Sequence, residues 1–152
     1  MKVTTIANYL IKQLRDAGDP PNMGRLERLL YLAAARPGGA FGESIVKTEG
    51  GIQIPGLRTA FQGQTGFLSP LKYARDWQGI DQTPAISTEA KAAADAVLQE
   101  FGGKSTWDLN EAIIAGRAWF EAQSFAGNPP TIAKEAIARD FQAREVRSGA
   151  IA

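Results

Sequence analysis

The residues that most often do chemistry in enzymes are missing from this chain. Its 152 residues include no Cys and no His, which removes the thiolate nucleophile, Cys-based zinc sites and the commonest general base. A Ser or Thr nucleophile would then need Lys as its base. We therefore expect a protein that is not an enzyme and that has no catalytic residues, no bound metal and no cofactor.

Two pairs of carboxylates have a spacing that a metal site or an acid–base site could use. Asp95 and Glu100 are five residues apart, and Asp108 and Glu111 are three apart on one helix face. Both pairs also fit a solvated helix surface. Asp108 and Glu111 fall in a first turn, where acidic side chains complement the helix dipole. We interpret all four as surface charges.

Charge gives little support for a nucleic-acid partner. The net charge is +1, with ten Lys and Arg against seven Asp and Glu before Pro84 and seven against nine from there on. Residues 72–75, KYAR, stand next to Trp77 and combine cations with aromatic rings, as single-strand binding sites do. Tyr73 and Trp77 are four residues apart, however, which favours one packed ridge on a helix. Nucleic acid is therefore not an expected partner.

The composition is that of an ordinary globular domain. Hydrophobic residues make up 44% and charged residues 22% of the chain, close to globular averages. No run is long enough for a transmembrane helix, and the N-terminal stretch does not read as a signal peptide. We expect one cytoplasmic domain over residues 1–152, with no membrane partner.

Apolar residues recur at helical spacing through most of the chain. The pattern predicts an all-α domain of six or seven helices with one small β-hairpin. The first helix is expected to be capped by Thr4 or Thr5, and Gly116 is expected inside a helix at a close contact. The predicted helices are 3–14, 23–35, one starting at Pro55, one from Ser69 to near Gly79, 88–101 after a Ser87 cap, 106–120 after a Ser105 cap, and 132–141 after a Thr131 cap, with 144–152 as a frayed tail.

Residues 43–54 change from the helical period to an alternating one. The segment 44–48 is short and β-branched, and 52–54 alternates, with Gly50-Gly51 as the predicted turn of a hairpin. The same glycines lack the following Lys-Ser/Thr of a phosphate-binding loop. We therefore interpret them as a turn.

Several segments, in chain order, resemble the Panacea domain, also known as the SocA-like antitoxin domain. Residues 6–11, IANYLI, are similar to the family's opening helix, and residues 25–31, RLERLLY, to its central helix. Residues 109–119 and 132–141 are similar to its later helices. The positions that carry the resemblance as structural residues are Leu26, Leu29, Leu30, Tyr31, Phe41, Gly51, Pro55, Phe61 and Trp119.

The resemblance implies a non-catalytic protein of a bacterial or phage-infected cell that neutralises a toxin by direct binding, in some members by delivering it to a protease. The chain departs from the family pattern at several positions that favour a second hypothesis, a phage or prophage protein that acts on a host defence or regulatory protein. A third hypothesis is a DNA-binding regulator, from the helix–turn–helix-like region at Met23. A homo-oligomer is possible in each case. The departures are Thr48, Ile52, Arg58, Ile113, Ile114 and Ala118.

The hairpin and the helix after it are the predicted contact surface for a partner. Polar side chains there stand on or beside a strand edge, where they can pair with a partner strand or make ionic contacts. The candidate partner-binding residues are Lys47, Thr48, Glu49, Gln53 and Arg58.

Overall fold

The predicted fold class is confirmed by the structure, a computed structural model that describes residues 1–66, 70–71, 85–123 and 129–148. These residues form seven helices and one antiparallel two-stranded sheet. The elements are α1 Val3–Asp16, α2 Met23–Ala34, β1 Val46–Lys47, β2 Ile52–Gln53, α3 Pro55–Ala60, α4 Thr88–Phe101, α5 Thr106–Ile114, α6 Arg117–Glu121 and α7 Lys134–Ser148. No helix within these residues is long and apolar enough to cross a membrane.

Helix α2 lies at the centre of the fold, as its sequence predicted. Asn22 begins it, because its side-chain oxygen accepts a hydrogen bond from the Arg25 backbone N–H at 2.8 Å. The helix is apolar around most of its circumference, so it is covered on several sides. Helices α1, α4, α5 and α7 and strand β2 all pack against it. Its buried residues are Met23, Leu26, Glu27, Leu29, Leu30, Tyr31, Leu32, Ala33 and Ala34.

Helix α4 packs closely against α1 and α2 through alanines. Ala90, Ala93 and Ala94 are buried on one face, and small side chains there let the helix backbones approach. Beside α4 the chain leaves α2 through Gly38 and Gly39, and Gly38 has a φ of +83° that favours glycine.

The hairpin is shorter than its sequence predicted, and its turn is different. Val46 pairs with Gln53 and Lys47 with Ile52, so residues 48–51 form a four-residue loop. In this loop the Thr48 N–H donates to the Gly51 carbonyl at 2.9 Å. Neither loop glycine has a positive φ. The expected two-residue Gly50-Gly51 turn is therefore wrong, because tight hairpin turns of that kind need positive φ.

The helix predicted over 106–120 is two helices. Gly116 has extended backbone and starts α6, because the Asp140 carboxylate of α7 accepts hydrogen bonds from the Arg117 and Ala118 N–H groups at 3.0 Å each. A Cβ at Gly116 would overlap the Asp140 Oδ2. The predicted close contact at Gly116 is thus confirmed, and the predicted helix through it is wrong.

Two predicted caps and the predicted tail are also corrected. Helix α1 starts at Val3, and its N–H is bound by the Glu43 side chain at 2.9 Å, so neither Thr4 nor Thr5 caps it. Thr131 bridges to Val46 of β1, and α7 begins only at Lys134.

Residues 144–148 are helical rather than frayed, because Arg144 pairs with Glu100 at 3.1 Å and lies over the Phe101 and Phe141 rings.

The helix predicted from Ser69 to Gly79, with Tyr73 and Trp77, lies outside the described residues except at 70–71. Leu71 is buried, and its N–H donates to the Pro21 carbonyl at 2.7 Å. This contact ties the segment to the turn between α1 and α2. Residues 149–152 and 124–128 also lie outside the described residues.

We expect Gly39→Ala to lower the free energy of unfolding by roughly 1–3 kcal/mol. The added Cβ would overlap the Ala33 carbonyl oxygen and stand 3.1 Å from the Ala93 Cβ, so α2 and α4 would have to separate. Urea unfolding measures the change. The control is Gly103→Ala, whose Cβ has nothing within 4 Å and should change stability by less than about 0.5 kcal/mol. Equal effects of both substitutions would contradict the packing argument.

Candidate partner-binding surface

Strand β1 is paired on both sides within this chain. On one side it pairs with β2. On the other, the Lys47 N–H donates to the Pro130 carbonyl at 2.8 Å, and the Ile132 N–H donates to the Ile45 carbonyl at 2.9 Å. The sequence predicted an edge open to a partner strand, and for β1 that prediction is wrong, because residues 130–132 occupy the edge.

Arg58, predicted as a partner contact, is bound to a buried carboxylate inside the fold. The Glu27 side chain is 0% exposed and accepts two hydrogen bonds from the Arg58 guanidinium, at 2.8 and 2.9 Å. It also accepts one from the Ile54 N–H at 2.8 Å. The hydrogen bonds to Glu27 raise the pKa of Arg58. A buried charge needs partners of this kind, so the first role of Arg58 is structural.

Glu27 is the residue that sequence reasoning missed. In the sequence it was interpreted only as one residue of a family motif. One feature of the sequence did indicate that it is buried. Glu27 follows Leu26 on a helix that is apolar around most of its circumference, where a lone carboxylate must find a cation or water.

The Lys47 side chain makes two contacts with the C-terminal half of the chain. Its ammonium stands 4.2 Å from the centroid of the Trp119 ring and 3.5 Å from the Ala122 carbonyl oxygen, a cation–π geometry. The Trp119 indole N–H donates to the Gly51 carbonyl at 2.7 Å. One α6 side chain therefore contacts both ends of the hairpin loop.

Asn110 of α5 holds the same loop from the other side. Its amide nitrogen donates to the Gly50 carbonyl at 2.7 Å, and its oxygen accepts from the Arg28 Nε at 3.0 Å. Burial lowers the pKa of the Arg28 guanidinium. A Cβ on Gly51 would stand 2.5 Å from the Arg28 Nη2, so a larger residue there would displace the Arg28 side chain. The loop 48–51 is thus fixed by α2, α5 and α6.

Among the candidate partner residues of the hairpin, Glu49 and Gln53 are exposed and Thr48 is half-buried. Of the five candidate partner residues, the fold therefore uses Arg58 and Lys47 internally. Glu49 makes no ion pair within the part of the chain that the structure describes. These two exposed side chains are the part of the predicted surface that is free to meet a partner.

Two large aromatic side chains are exposed on the two helices that hold this loop. Trp107 of α5 is 72% exposed and Phe120 of α6 is 76% exposed. Trp107 is three residues before Asn110, so both lie on neighbouring positions of one helix face. Phe120 directly follows Trp119. The two helices that hold the hairpin loop therefore each carry an exposed aromatic ring.

The positions that carried the family resemblance have mixed surroundings. Six are buried, Gly51 is buried under Arg28, Trp119 is half-buried, and Pro55 is exposed at the first position of α3. The six buried positions are Leu26, Leu29, Leu30, Tyr31, Phe41 and Phe61.

The described residues bring together no group of three or more metal-ligating side chains. The sequence does contain two Ser-x-x-Lys arrangements, a spacing that some Ser nucleophiles use. In the first, from Ser44 to Lys47, the lysine amine is held by the Trp119 ring and the Ala122 carbonyl. The second, from Ser69 to Lys72, lies outside the described residues.

We expect Arg58→Ala to lower the free energy of unfolding by roughly 2–4 kcal/mol, because it leaves the buried Glu27 carboxylate without its cation. The stability of Arg58→Lys should lie between those of the wild type and Arg58→Ala, since lysine keeps the charge and loses the bidentate geometry. The control is Arg117→Ala, which breaks an exposed pair with Glu121 and should cost less than about 0.5 kcal/mol. Urea unfolding compares them, and equal costs for Arg58→Ala and Arg117→Ala would refute the structural role.

Comparison of the chain with protein-family models, with curated proteins and with solved structures finds no match.

Proposed function

We propose that this chain is a non-catalytic binding module that neutralises a protein toxin by direct contact, through a surface formed by the hairpin loop 48–51, α5 and α6. We call this the hairpin surface. The observation that carries the proposal is the exposure of Trp107 and Phe120 on the two helices that hold the loop. Exposed aromatic side chains are the commonest anchors of protein interfaces.

The loop is rigidly placed before any partner arrives, which supports the proposal. Gly50 and Gly51 are bound through their carbonyls by Asn110 and Trp119. A surface that is already ordered loses little conformational entropy on binding. The exposed Glu49 and Gln53 are therefore presented in a fixed position.

The charged side chains of the hairpin surface that make no ion pair within the described residues are acidic. Glu49, Asp108 and Glu111 are all exposed, and none of them makes an ion pair among the described residues. We therefore expect a partner whose own surface carries Lys or Arg around an apolar pocket. Association should slow as the salt concentration rises, because the attraction between such surfaces is screened.

The placement of α2 bears on the regulator hypothesis. A helix that reads a DNA groove must project its side chains to the outside. Nine residues of α2 are buried, and five other elements pack against it. The helix-turn-helix-like region at Met23 is thus in the core, which argues against α2 as a recognition helix.

We expect co-expression with the protein encoded by the adjacent gene to restore growth and to give a stable complex. Trp107→Ala and Phe120→Ala should each weaken that complex by about 30-fold or more in Kd, since aromatic anchors at the centre of an interface cost at least about 2 kcal/mol when truncated. Calorimetry or surface plasmon resonance measures the Kd.

The matched control is Val146→Ala, which trims another exposed apolar side chain, 61% exposed, on α7. It should leave the Kd unchanged. A complex that tolerates both aromatic substitutions would remove the hairpin surface from the interface. A harmless neighbour with no complex would refute the toxin as partner and would favour the phage–host hypothesis.

A further inference from the structure

A cavity of about 210 Å³ lies between α2, the C-terminal end of α5 and α7. Its wall is mainly apolar, with Leu32, Ile113 and Phe141 among its residues, and it also includes Tyr31, Asp140 and Arg144. The cavity borders the break at Gly116, where α5 gives way to α6. Its volume exceeds the roughly 150 Å³ of an apolar cavity that holds benzene, so a substituted single ring fits.

Tyr31 of this wall has a polar group without a partner. The residue is 3% exposed, and among the described residues its hydroxyl has no hydrogen-bond partner. Burial, and secondarily the charge of Asp140, raises the pKa of Tyr31. The hydroxyl therefore stays protonated and remains a donor at neutral pH. A buried donor without an acceptor is rare in folded proteins and destabilises them.

Both charged groups in the wall already have partners. The Asp140 carboxylate accepts hydrogen bonds from the Arg117 and Ala118 N–H groups at the start of α6. The Arg144 guanidinium pairs with Glu100 at 3.1 Å, a carboxylate that it shares with Arg36. An ionic occupant would have to compete with these contacts and would also lose its hydration. The lining is therefore suited to an uncharged molecule.

We propose that this cavity binds a small, uncharged, mainly apolar molecule with one hydrogen-bond acceptor, such as a carbonyl oxygen, which receives the Tyr31 hydroxyl. The hydroxyl oxygen is covered from water, so the occupant reaches it only when part of the wall moves aside. The site shares the C-terminal end of α5 with the hairpin surface, but it does not depend on the proposed toxin partner.

The test adds three single-ring probes to the full chain, one at a time. Binding is detected by changes in the chemical shifts of the backbone amides. Acetophenone has the ring and a carbonyl, ethylbenzene has the ring without an acceptor, and benzoate carries a charge. Acetophenone should give saturable shifts in residues 112–116 and 137–144. Ethylbenzene should bind about two- to tenfold more weakly, the effect of one neutral hydrogen bond, and benzoate more weakly still.

Tyr31→Phe should weaken acetophenone binding by the same two- to tenfold factor and leave ethylbenzene binding unchanged. Without a probe, the variant should be at least as stable as the wild type, because the unpaired hydroxyl is gone. The proposal is overturned if acetophenone gives no saturable shift, if benzoate binds most tightly, or if Tyr31→Phe binds acetophenone as well as the wild type does.

Discussion

The buried carboxylate of Glu27 is the constraint on which the arrangement of the middle of the chain depends. A fully buried charge destabilises the fold unless it is paired and hydrogen-bonded. Glu27 obtains its partners from the Arg58 guanidinium and from the Ile54 N–H. These partners stand at the end of β2 and in α3. Helix α2 therefore fixes where the hairpin ends and how α3 leaves it.

Besides the contacts of Glu27, the hairpin is held by elements far away in sequence. Asn110 and Trp119 bind its loop carbonyls, and residues 130–132 pair with β1. Two short strands are marginally stable by themselves, and here each neighbour supplies part of the missing support. The consequence for binding is a loop whose shape is determined before a partner arrives, with aromatic rings left exposed beside it.

The break at Gly116 links this surface to the cavity behind it. Asp140 of α7 binds the first N–H groups of α6, and this contact turns α6 away from the direction of α5. The turn allows Trp119 to reach Gly51. Gly116 and Asp140 also line the cavity, together with Tyr31. One carboxylate thus influences both the position of the partner-binding helix and the presence of the cavity.

Much of the fold follows from the sequence by itself. Apolar residues at helical spacing determined α1, α2 and α4, the alanines of α4 indicated close packing, and Ser87 and Ser105 marked two helix starts, because these signals act within one or two turns of the chain. Only the tertiary structure decided the roles of Glu27 and Arg58, the break at Gly116 and the exposure of Trp107 and Phe120. Each of these depends on a group more than 20 residues away or on which helix face its neighbours cover, and local spacing contains no information about either.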